Sequence, residues 1–246
     1  MGLWLSVALV AAVFFTSTLS GIFGMAGGMV LLAFLLAIVP VGTAIAVQGA
    51  IQIIANGSRA WFSRAYIEWQ ILAIMTAGLL LAAALLFAQR YVPDLATVCI
   101  AIGVLPVLLW IPQHLLALDA SKPSHALICG FLAGGINLGV GVAGPTIDMF
   151  FIRTPLDRRS IIATKAAAQV INHFAKVIFY LGASVALGAG EWLVIALAAP
   201  FAIAGTKAGH WVLQRMSDAN FKSWTRLLVT GIGIFYLARG ILLLAG

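Results

Sequence analysis

The chain has 246 residues, 63% of them hydrophobic and only 9% charged, with a mean hydropathy of +1.11. A water-soluble domain carries about 25% charged residues, so this chain cannot cover its apolar surface with polar groups and is read as an integral membrane protein. The formal charge of +7 does not call for a nucleic-acid partner, because the basic residues gather at the ends of apolar runs and in short loops, as the positive-inside rule expects.

The first apolar run, 3–20, lacks a basic leader and a small-residue cleavage site, so it is read as a helix and not as a removable signal peptide. It leads into GMAGG (24–28), and the run that follows, 29–39, falls short of the roughly 17–25 residues a membrane-crossing helix needs. Segment 3–39 is therefore predicted to be a broken or re-entrant helical hairpin with its tip at 21–28, a new helix starting at Gly28-Met29-Val30. Runs 43–62, 69–88 and 95–111 each predict a transmembrane helix. The next run is too long for one helix and is interrupted by GGINLGVGVAGP (134–145). Segment 125–152 is predicted as a second hairpin with its tip at 137–145, Pro145 suiting the first position of the new helix. Three further helices follow at 160–182, 191–206 and 226–245. Cys99 and Cys129 lie in apolar runs without metal-like spacing and are read as buried free thiols. No metal site and no cofactor are expected.

The two glycine-rich tips are 117 residues apart: Gly24, Ala26 and Gly27 fall on Gly141, Ala143 and Gly144. The same offset without gaps sets Gln52 on Gln169, Phe62 on Phe179 and Arg59 on Lys176. A duplication follows, with repeat 1 at 1–117 and repeat 2 at 118–246, each a hairpin plus three transmembrane helices. Equivalent loops carry opposite charge. The turn at 40–43 has no charge while RTPLDRR (153–159) has three arginines; the loop near 59–68 has Arg59 and Arg64 while that at 182–190 has none. Opposite bias at equivalent loops marks inverted topology. The basic loops at 63–68, 112–124, 153–159 and 207–225 then fall in the cytoplasm, and both termini on the extracytoplasmic side of the cell (inner) membrane.

A helix N-terminus carries unpaired N–H groups and about half a positive charge. Two such ends brought together would hold an anion on backbone alone, so Gly24, Gly27, Gly28 and Met29, with Gly141, Gly144, Pro145 and Thr146, are candidate anion contacts. The competing reading of these glycines is close helix packing. Gln48, Gln52 and Asn56 share a helix face at i, i+4, i+8, and their counterparts Lys165, Gln169 and His173 do the same. Such a stripe within a membrane is costly unless it faces partners or water. Gln48, Gln52, Lys165, Gln169 and Asn137 are therefore added to the candidate site, with Asn172 as a further donor. Asp148 either pairs with Lys165 or carries a proton that couples to transport, and His173 shares that pair of roles. Arg59 and Lys176 are expected to be interfacial anchors or funnel charges.

GIFGMAGGMVLL (21–32) and GFLAGGINLGVGVAGPTIDMFF (130–151) resemble the duplicated glycine-rich motif of the TauE/SafE family of sulfite exporters and related anion permeases. The chain departs from it at Ala26 and Ala143, where that family often has glycine. The resemblance implies transport of sulfite, thiosulfate, sulfoacetate or other organosulfonates. With no P-loop or other energising motif in the sequence, the driving force is expected to be a gradient, a proton being the candidate coupling ion. The expected partners are thus a small anion and the lipid bilayer; the sequence assigns no oligomeric state. The leading reading is a secondary transporter with alternating access between the repeats. A passive anion channel is the alternative. An intramembrane enzyme fits less well, because Ser20 and Ser58 lack an evident His partner and Asp148 is the only acid well inside a span.

Overall fold

The computed structural model describes residues 3–89, 91–112, 118–183 and 186–245, all helix or connecting turn. Parts of the expected loops at 112–124 (with His114) and 182–190 lie outside that set.

The first hairpin is α1 (Leu3–Phe23) and α2 (Met25–Leu35), broken at Gly24, whose φ of +67° is a left-handed value that side chains disfavour. The second is α6 (Pro123–Val140) and α7 (Gly144–Phe151), broken at Gly141 with φ +91°. These are the only positive-φ glycines among the described residues, and they are the pair aligned by the 117-residue offset. The first break is sharper than expected. It falls at Gly24, so α2 starts three residues before Gly28, and Gly27, Gly28 and Met29 lie inside its first turns. At 1.5 Å per residue α2 and α7 are only about 16 and 12 Å long, too short to cross a bilayer.

The remaining helices are α3 (Val41–Phe62), α4 (Trp69–Ala88), α5 (Leu95–Val104), α8 (Arg158–Ala183), α9 (Ala189–Leu213) and α10 (Asp218–Ala245). The expected helix 95–111 is only partly α: it tightens into a 3-10 segment, Leu105–Leu109, where Pro106 has no N–H to donate. Helices α9 and α10 outrun their apolar runs, because their polar turns are helical too. Asp94 caps α5 through Thr97. Asp157 caps α8, and hydrogen bonds from the Ser160 hydroxyl and backbone hold its carboxyl below the usual range.

Among the described residues, four helical stretches are long and apolar enough to cross a membrane: Trp69–Ala88, Pro123–Val140, Ala189–Leu213 and Ser223–Ala245. The chain is thus an all-helical, multi-pass membrane protein. Helices α3 and α8 have the length but not the apolarity, because their polar stripes dilute it. They lie against each other at the centre, with α1 packed on α9, α4 on α6 and α5 on α10 around them. Glycines set two of these contacts. A Cβ on Gly209 would sit 2.2 Å from the Thr18 carbonyl of α1, and one on Gly130 1.9 Å from the Met75 carbonyl of α4, the small-residue packing expected between membrane helices. The outward faces of α4, α9 and α10 expose Leu80, Leu81, Leu197, Leu227, Ile234 and Leu242, a surface suited to lipid. At one end, where α3 and α9 finish and α8 and α10 begin, arginines cover aromatic rings: Arg64 on Trp61, Arg159 on Tyr66, Arg215 on Trp211 and Arg226 on Trp110. Such pairing of rings and cations is typical of a membrane interface.

Candidate functional site

The two breaks meet. A Cβ built on Gly144 would lie 2.2 Å from the Met25 Cβ, so the start of α7 presses directly on the start of α2. Between them is a chamber of about 30 Å³. Gly24, Met25 and Gly28 form one wall and Gly141 to Gly144 the opposite one. Helix α3 contributes Gln48, Gln52 and Asn56, and α8 contributes Gln169, Asn172 and His173. Ser20, Asn137 and Ile147 complete the lining.

Neither α2 nor α7 has a side-chain cap at its N-terminus. Their positive poles are therefore left for whatever occupies the chamber. The opposing negative poles, the C-terminal carbonyls of α1 and α6, are each met by a cation. Arg59 donates to the Ser20 carbonyl at 2.7 Å, and Lys176 to the Gly141 carbonyl at 2.8 Å. With those carbonyls neutralised, the field at the breaks is net positive. The amides are held in place as well. Gln48 accepts from Lys176 Nζ at 2.5 Å through Oε1 and donates from Nε2 to the Gly28 carbonyl at 3.2 Å. Asn137 Nδ2 donates to the Asn172 carbonyl at 2.9 Å, tying α6 to α8.

The chamber adjoins a vestibule of about 480 Å³, with which it shares Ser20, Gly24, Met25 and Gln169. Arg59, Arg153, Arg158, Lys165, His210 and Arg226 line it, and among the described residues Asp148 is the only acid in its wall. Asp148 is ion-paired with Lys165, both about a quarter exposed. A pair that wet contributes about 0–1 kcal/mol. Asp148→Asn should therefore leave the melting temperature close to wild type; a large drop would mean the pair is structural. The same variant tests proton coupling, since a pH dependence of transport that survives it excludes Asp148 as the proton carrier.

The model of the TauE/SafE sulfite exporter family matches residues 9–236. The chain belongs to this family. No curated protein and no solved structure matches it. Membership makes the protein a membrane transporter of the sulfite-exporter type, acting on a small anion.

In this TauE/SafE protein, Gly24, Gly28, Gln48, Gln52, Asn137, Gly141, Gly144, Gln169 and His173 all reach the chamber. Gly27 does not: a Cβ there would lie 1.9 Å from the Thr16 carbonyl, so this glycine seats α2 on α1. Met29 is fully buried and its carbonyl accepts from Tyr236. Pro145 and Thr146 lie in the first turn of α7, outside the lining. Lys165 and Asp148 belong to the vestibule. The expectation for Lys176 needs correcting. It is 0% exposed and holds Gln48 to the second break, whereas an interfacial anchor would reach water. Its spacing could have revealed this, because Lys176 follows Gln169 by seven residues and so continues the same stripe. Ser20 and Asn56 also line the chamber; Asn56 completes the stripe on α3, while nothing in the sequence around Ser20 distinguishes it. Among the described residues no cluster of His, Cys, Asp or Glu could hold a metal ion. Cys99 and Cys129 are buried and free.

Proposed function

We propose that the protein is a secondary transporter of a sulfur oxyanion or organosulfonate, bound in the chamber between the N-termini of α2 and α7. The observation that carries this is the convergence of two uncapped helix starts and amides from both central helices on one cavity, itself open to a cation-lined vestibule. The anion accepts from backbone N–H groups near Met25 and Gly28 and at Gly144, and from Gln48, Gln52 and Gln169; Lys165 guides it through the vestibule.

Two inverted repeats, 1–117 and 118–246, rock against each other to give alternating access. The packing pattern supports this. Exchanging each helix for its counterpart in the other repeat turns the α1–α9 contact into α6–α4 and maps α3–α8 and α5–α10 onto themselves. The vestibule lies at the arginine-rich end, which the positive-inside rule assigns to the cytoplasm, so the arrangement is open inward, with both termini outside the inner membrane. On the other side the chamber is shut by Lys176, bound across from α8 to Gln48 and Gly141. A side that is shut while the other is open favours a carrier over a channel. A gradient drives the cycle, with a proton as the coupling ion.

Proteoliposomes loaded with sulfite, thiosulfate or sulfoacetate test the proposal. Saturable flux with counterflow is expected; linear flux without counterflow would make the protein a channel, and no flux of any of the three would refute the reading. Gln169→Ala removes a donor to a charged ligand, a contact worth about 1.5–3 kcal/mol. It should weaken binding about ten- to a hundredfold in a protein that still folds. Unchanged affinity would remove Gln169 from the site.

A further inference from the structure

Three buried polar atoms near the chamber have no hydrogen-bond partner: Asn172 Oδ1, His173 Nδ1 and Thr146 Oγ1. Asn172 and His173 line the cavity yet are only 5% and 8% exposed. The Asn172 amide is fixed by Nδ2, which donates to the Ala168 carbonyl at 2.9 Å. Its Oδ1 is thus a buried acceptor with no partner among the described protein atoms, left for whatever fills the chamber. The facing wall offers donors, namely the first N–H groups of α2 and α7. Donors on one side and an unsatisfied acceptor on the other suit a ligand that both accepts and donates.

Among the described residues, the chamber lining contains no Lys, Arg, Asp or Glu, so the donors that meet a ligand there are backbone and amide N–H groups, with about +0.5 from each helix start.

We propose that Asn172 Oδ1 is an acceptor subsite for the hydroxyl of a singly protonated oxyanion, so that hydrogen sulfite and not the sulfite dianion is the form bound. This rests on the anion-transport reading above. The monoanion accepts from the helix starts and donates its O–H to Asn172; the dianion has no proton to donate and would turn lone pairs toward Oδ1. The volume agrees. A cavity holds one water per roughly 10–15 Å³ of such space, so about 30 Å³ admits a group of two or three water-sized parts.

The test is equilibrium binding to purified protein at pH values on either side of the second ionisation of sulfite. Methanesulfonate, a monoanion at every pH and without a hydroxyl, is the control. The apparent Kd for total sulfite should rise about tenfold per pH unit once the second proton is lost, while methanesulfonate binds at least about tenfold more weakly and without pH dependence. Asn172→Leu should abolish the preference for hydrogen sulfite over methanesulfonate. The titratable groups around the subsite are His173 on α8, Lys176 on α8 through its bonds to Gln48 and Gly141, Arg59 on α3, and the Lys165–Asp148 pair at the vestibule. His173→Gln is therefore run in parallel, and a pH dependence that disappears in it would mean that the protein supplies the proton, overturning the proposal. Sulfite affinity that is flat or tightens with pH, or a preference that survives Asn172→Leu, would overturn it too. These results leave the transporter reading standing, whereas no binding of any sulfur oxyanion at any pH removes both.

Discussion

Gly28→Ala should give a folded protein that has lost its anion, and Gly27→Ala, one residue earlier, a protein that scarcely folds. A methyl group on Gly28 would lie 2.5 Å from Gln52 Nε2 and 3.3 Å from Gln48 Nε2. These are the far ends of flexible side chains, so they can swing aside and the helices need not move. They swing away from the chamber, however, and the methyl group takes much of the space left. Each displaced donor to a charged ligand costs about 1.5–3 kcal/mol of binding, so affinity should fall by about tenfold at least and by up to about ten-thousandfold if both are lost. On Gly27 the added carbon meets the backbone of α1, 1.9 Å from the Thr16 carbonyl and 2.6 Å from the Ser20 nitrogen. Relief there requires α2 to lift off α1, and overpacking of this kind costs about 1–3 kcal/mol or more. Thermal unfolding of the two purified variants beside sulfite flux in proteoliposomes gives the answer. A Gly28→Ala protein that transports normally would show that the chamber is not the binding site.

Lys176→Met is expected to lower stability and binding together. Methionine restores most of the bulk but none of the charge, leaving Gln48 Oε1 and the Gly141 carbonyl buried without their donor. Each orphaned acceptor costs about 1–3 kcal/mol, so the melting temperature should fall by several degrees. The α6 carbonyls would again set their negative pole against the anion, and Gln48 would lose the contact that directs its Nε2 toward Gly28. The far side of the chamber would also lose its closure. Net flux without counterflow should rise relative to exchange in any variant that still reaches the membrane. A wild-type melting temperature with wild-type exchange would show that Lys176 is a passive core residue.

How far the site could be read from the sequence depended on whether a feature needed helix phase. Gly24 and Gly141 were legible, because a glycine-rich interruption of an apolar run repeats at one offset, and both adopt the left-handed backbone that glycine permits. Gln48, Gln52 and Gln169 were legible as steps of about one helical turn, and all three reach the chamber. Gly27 and Gly28 were not separable by composition. Adjacent residues on a helix point about 100° apart, and only the position of α1 decides which of the two meets a neighbour and which faces the cavity. Lys176 was misjudged because it lies close to the expected helix end at 182, from which a long side chain could reach the interface, whereas it turns inward to Gln48 and Gly141 and is buried. The ends of α9 and α10 were set short for a related reason: hydropathy marks where lipid would stop, and hydrogen bonding carries the helix further.

The polarity of α3 and α8 also bears on how the protein is made. Neither is among the stretches apolar enough to count as a span by composition, and each amide or charge near the middle of a segment raises the cost of insertion. Each has the other as its main companion, yet Gln52 emerges from the ribosome 117 residues ahead of Gln169. At about 5–20 residues per second that is a wait on the order of ten seconds. During it the α3 stripe needs a temporary shelter, at the lateral gate or on an insertase, and a nascent chain stalled before α8 should be an early target for membrane quality-control proteases.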